Sequence, residues 1–119
     1  MEIIDIIKIQ LDFDRRHGFE GNVNNFPYKY VQISKDIVGI VGEIGEYSNI
    51  VKKINLDIDA GRDISIEDIE KREDDMREEL IDVFIYLMRL FALTGVDVEA
   101  EYLKKLSYNE EKYKDFRSE

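Results

Sequence analysis

The chain has 119 residues, with 27 acidic against 17 basic, a formal net charge of -10 and no cysteine. That balance excludes a nucleic-acid backbone as partner, because nothing here would release a polyanion's counterions, and it suits cations instead. Without cysteine or a long apolar run, the chain is predicted to be one cytoplasmic domain with no disulfide, membrane span or secretory leader.

The first helix is predicted over residues 2 to 16, where Ile3, Ile4, Ile6, Ile7, Leu11 and Phe13 form an apolar stripe opposite charges. The Gly- and Asn-rich stretch from Arg16 to Pro27 then reads as a loop, ending at the only proline. From about 30 to 54, Ile33, Ile37, Ile40, Val41, Ile44, Tyr47 and Val51 recur at threes and fours, which makes a second helix. Inside it lies VGEIGE, residues 41 to 46. Gly42 and Gly45 each cost a helix about 1 kcal/mol against Ala, so they point to a close approach by a neighbouring helix or a substrate. Residues 55 to 63 have turn residues and no period, and are predicted to connect. Ser65 followed by Asp68 resembles a capping box. A third helix runs from there to Leu93, with a break expected near 72 to 75, until Gly95 stops it. A fourth runs from about 97 to 113, with Val98, Leu103 and Leu106 facing inward. Four helices without a strand predict an all-α bundle.

Candidate chemistry centres on the third helix. Between Leu80 and Leu93 the only charged residues are Asp82 and Arg89, so this helix is predicted to be buried nearly all round. Glu79, Asp82 and Tyr86 fall within roughly 60° on it and make one polar stripe. A buried carboxylate is costly unless a cation or strong donors compensate it. The second helix supplies a matching pair at the flank of its apolar stripe, Glu43 and Glu46. If the two helices pack antiparallel, the pairs face each other and hold an ion. Oxygen ligands without His or Cys favour Mg²⁺ or Mn²⁺ over zinc. A di-iron bundle would want Glu-x-x-His on two helices, and the only histidine, His17, lies outside both motifs.

IVGEIGEYSNIVKK, followed about 30 residues later by EELIDVFIYLMRLFALTGVDVEAEYLKKLSYNEEKY, resembles the MazG-like all-α nucleoside triphosphate pyrophosphohydrolases, which include dCTP pyrophosphatases. The paired acidic motifs, the TGVD turn and the Asn-x-x-Lys-Tyr ending occur in order over roughly residues 30 to 115. The resemblance implies a helical homodimer or homotetramer that cleaves a nucleoside triphosphate between its α- and β-phosphates with Mg²⁺. It implies Glu43, Glu46, Glu79 and Asp82 as metal ligands and Tyr86, Lys52, Lys53, Asn109 and Lys112 as substrate contacts. FDRRHGF resembles the base-binding segment loosely, with His17 where an aromatic often stands. Many members carry two adjacent glutamates where this chain has Gly42 and Glu43, and Glu110 and Glu111 stand where some relatives are basic.

A triphosphate brings about four negative charges, and a chain of net charge -10 can bind it only through bridging divalent cations. Glu46 or Glu43 would orient the attacking water. Phosphoribosyl-ATP pyrophosphohydrolysis is the alternative activity, and a non-catalytic helical dimerisation module is the alternative class. The apolar circumference of the third helix also exceeds what three partner helices can cover, which independently predicts self-association.

Overall fold

The computed structural model describes residues 1–19 and 26–118, so residues 20–25 of the expected loop lie outside the described residues. The described residues are all-α, with helices α1 (Ile3–Arg16), α2 (Phe26–Asp59), α3 (Ile66–Leu93) and α4 (Val98–Lys112), then a short 3₁₀ turn over Lys114–Phe116. None of these helices is long and apolar enough to cross a membrane.

Local chemistry sets most of the boundaries. Asp5 accepts from the backbone N–H of Glu2 at the start of α1, and Gly18 at φ +71° turns the chain out at its end. Helix α2 is longer than predicted at both ends. Pro27 lies in its first turn, where a fixed φ and a missing donor cost nothing, rather than closing the loop. At the other end, residues 55 to 59 are helical instead of connecting. Asp57 in that last turn accepts Arg62 at 2.9 Å and Arg72 of α3 at 2.8 Å, and Gly61 at φ +66° reverses the chain. The break expected near 72 to 75 does not occur. Arg72 is tied to Asp57 and also to Asp68 one turn earlier at 3.0 Å, and α3 runs unbroken through its charged stretch. Ser65 caps α3 by accepting from the Asp68 N–H at 3.1 Å, Gly95 at φ +67° ends it, and Asp97 caps α4 through the Ala100 N–H at 3.1 Å.

The α2–α3 hairpin, necessarily antiparallel, makes the most extensive packing; α1 lies on α3, and α4 lies against α1. Ile7 and Met88 are the fully buried apolar residues among those described. Helix α3 is thus not buried all round as predicted: Leu80 and Ile81 are 51 % and 59 % exposed. Leu103 and Leu106 of α4 also face outward, and of the three residues expected inward only Val98 near its start is half-buried. The physical reason is coverage. With α4 on α1, no element among the described residues covers the outer faces of the hairpin.

Candidate functional site

Antiparallel packing of α2 on α3 brings Glu43 opposite Glu79 and Asp82. One carboxylate oxygen from each of the three lies within 4.8 Å of the others. Glu79 carries the electrostatic strain of the group. Its Oε2 is buried without a hydrogen-bond partner, and its carboxyl is pushed up to about 8 by hydrogen bonding to Glu43, by burial and by the adjoining Glu46. A proton on Glu79 turns repulsion between carboxylates into a hydrogen bond, and a cation would do the same work. An orphaned buried oxygen within a set of hard donors fits a divalent cation better than it fits an ordinary solvated acidic face. Glu46 touches Glu79 from an exposed position and stands outside the set of three.

A cleft of about 410 Å³ opens beside the carboxylates, lined by Gln10, Phe13, Glu43, Asp82, Ile85, Tyr86 and Arg89. Tyr86, one turn after Asp82, lies over α2 at Gly39, where an added Cβ would stand 2.4 Å from the ring. That contact is the close approach that a helical glycine permits here. It is not at Gly42 or Gly45, where an added Cβ would have nothing within 4 Å among the described residues.

Arg89 fixes the far wall. Its Nε and Nη2 donate to the two oxygens of Asp14 at 2.8 and 2.7 Å, and its guanidinium lies 5.3 Å from the centre of the Tyr86 ring. The pair links α1 to α3 at a position where Asp14 is 2 % exposed. Gln10 donates to the same Asp14 at 2.9 Å. Asp36 of α2, also 2 % exposed, accepts Gln32 at 3.1 Å and leaves its Oδ2 without a partner. Burial pushes the Asp36 carboxyl up from its ordinary range, against the pull of Gln32 and Arg89. The end of α1 thus docks on the hairpin through charge more than through apolar packing.

The other predicted contacts stand elsewhere. His17 ends α1, stacked on Phe13 with ring centres 4.0 Å apart and its Nδ1 2.7 Å from the Phe13 carbonyl, outside the residues that line the cleft. Lys52 is exposed on α2, and Lys53 lines a separate cleft with Asp68, Lys71, Arg72 and Asp75. Asn109 and Lys112 lie on α4, Asn109 half-buried in a groove with Tyr113 and Phe116 and Lys112 with its ammonium 5.2 Å from the Tyr113 ring. Gln10, Gly39 and Arg89 were not legible as site residues, whereas Phe13 and Asp14 open the FDRRHGF segment that resembles a base-binding stretch. The one signal was Arg89 as the lone cation of an apolar run, one turn beyond Tyr86.

Compared with protein-family profiles, curated proteins and solved structures, the chain matches none.

Proposed function

We propose that the protein is a MazG-like, Mg²⁺-dependent nucleoside triphosphate pyrophosphohydrolase of nucleotide-pool house-cleaning, with a bundle of that family's type. The observation that supports this most is the convergence of the Glu43, Glu79 and Asp82 oxygens at the mouth of a cleft walled by Phe13, Tyr86 and Arg89. On this reading Glu43, Glu79 and Asp82 hold Mg²⁺, or Mn²⁺ in its place. When bound, the ion supplies charge neutralisation for the phosphates and acidifies a water.

The chain's own residues do the rest. Glu46, exposed at the edge of the cluster, accepts the proton of the water whose oxygen bonds to the α-phosphorus. The bond from that phosphorus to the α–β bridging oxygen breaks, and pyrophosphate leaves with the monophosphate as co-product. Tyr86 and Phe13 offer faces for a heterocycle in the cleft, and Arg89, held by Asp14, keeps that wall in place. Lys52, Lys53, Asn109 and Lys112 do not line this cleft in one protomer, so any phosphate contact from them belongs to the assembled homodimer or homotetramer.

The test is a panel of canonical and modified ribo- and deoxyribonucleoside triphosphates plus phosphoribosyl-ATP, incubated with Mg²⁺ and scored for pyrophosphate. Release from a nucleoside triphosphate, with monophosphate in equal amount, is the expected result. Release from phosphoribosyl-ATP alone reassigns the substrate. No release from any member refutes the enzyme and leaves the cluster a binding site.

A further inference from the structure

The described surface is far too apolar and too large for a lone protomer. The chain exposes 9420 Å² at 14.1 kDa, where a monomeric protein of that mass exposes roughly 6,700 Å². Its radius of gyration is 18.8 Å, against about 13.5 Å for a compact domain of this length. The excess, about 2,700 Å², is of the order that one chain of an obligate homodimer buries, roughly 1,000–2,500 Å².

One face is the best fitted to receive that contact. On α2, Ser34, Ile37, Val38, Val41, Ile44 and Gly45 share a stripe at helical spacing; Ile37 and Ile44 form its edge beside the half-buried Ile33 and Ile40, and Val38, Val41 and Gly45 turn away from the inward-facing Asp36 and Glu43. Val38 and Val41 are 72 % and 65 % exposed, and Ile37 and Ile44 close to half. Among the described residues nothing lies within 4 Å of where a Cβ on Gly45 would be, so the backbone there is open to an incoming helix. The stripe carries no charge from Ser34 to Ser48, in a protein of net charge -10. That absence bears on what binds. Across a two-fold axis each residue near the centre meets its own copy, so a like charge there would repel itself, and an uncharged stripe is what self-pairing needs. Helix α4 also exposes apolar residues, Tyr102, Leu103 and Leu106, but Glu99 and Glu110 share that face at helical spacing. An anionic membrane surface would want a basic flank.

We propose that this outward face of α2, centred on Val38 and Val41, is where a second copy of the chain packs, helix against helix about a two-fold axis. The proposal names a surface that the catalytic reading leaves unspecified, and its test reads mass and proximity instead of turnover. Light scattering on the wild type at tens of micromolar gives a multiple of 14.1 kDa. Val38→Glu alters a side chain that is already exposed in the protomer, and it weakens self-association by roughly 100-fold or more, because a carboxylate would be buried without a partner. Since the chain has no cysteine, the Val41→Cys variant is joined to itself by a short bis-maleimide, whereas Lys71→Cys on α3 is not. If Val38→Glu loses its helical circular dichroism, the cross-link alone decides. A monomeric wild type overturns the proposal. So does an oligomer in which Val41→Cys fails to cross-link, or one whose mass a folded Val38→Glu leaves unchanged, and either would move the interface to another face.

Discussion

Replacing Arg89 by Met removes the cation on which two buried carboxylates depend. Asp14 would keep only the Gln10 amide at 2.9 Å, and Asp36, which already has an unpartnered oxygen, would lose the one cation that acts on it. Breaking a buried ion pair from one side costs about 3–5 kcal/mol, because the remaining charge stays desolvated. Arg89 is 19 % exposed, so water reaches its edge, and the low end, about 3 kcal/mol, is expected. At roughly 4 °C per kcal/mol for a domain of this size, that is a fall of about 12 °C in melting temperature. Urea and thermal unfolding followed at 222 nm measure it, with protein concentration held constant because self-association shifts apparent stability. The double variant Asp14→Leu with Arg89→Met removes both charges and should recover most of the loss. An Arg89→Met protein within about 1 kcal/mol of wild type, well under that range, would refute the claim that this pair docks α1. So would a double variant no more stable than the single.

Glu79 predicts a pH dependence of definite sign. Its carboxyl sits at about 8 when folded against an ordinary 4.5, so between those values the folded state keeps a proton that the unfolded state has lost. Without metal, its contribution therefore lowers stability as pH rises through that window. Glu79→Gln should flatten this part of a melting-temperature profile between pH 5 and 8, and parallel profiles would count against the cluster geometry. Binding of Mg²⁺ at pH 7 should displace close to one proton per chain, a release readable by calorimetry in two buffers and absent in Glu79→Gln. Gly39→Ala places a methyl 2.4 Å from the Tyr86 ring, a contact that must shift one of the two. It should cost about 1–3 kcal/mol in unfolding experiments, and a neutral result would mean that the ring is free to leave α2.

Much of the architecture was legible because its signals are local. Ser65, Gly95 and Asp97 sit within a few residues of the boundaries they set, and the apolar periods of α1 to α4 need no partner to be read. The meeting of Glu43 with Glu79 and Asp82 was legible because two helices with carboxylates three apart can meet in few ways once they pack antiparallel, although Glu46, the fourth expected member, stands outside the set of three. The misread pieces depend on distant partners. The end of α2 hangs on Arg72, which is tied to Asp57 across the turn. Arg89 and Asp14 are 75 positions apart, and no period links them. Among three glycines at the same spacing on α2, only the position of Tyr86 singles out Gly39. The extent of burial on α3 and α4 was overestimated because an apolar pattern records that a face is to be covered without saying which chain covers it.

In the proposed metal centre, three carboxylates from α2 and α3 would hold the divalent ion on which triphosphate hydrolysis depends. Pyrophosphate release from the best triphosphate of the panel, titrated with Mg²⁺ for wild type and for Asp82→Asn, tests it most directly. The account predicts saturable Mg²⁺ dependence in the wild type and none above background in Asp82→Asn, with the helical signal and oligomer mass of the variant unchanged. Equal activity in the two proteins, or wild-type release that persists in excess chelator, would contradict it.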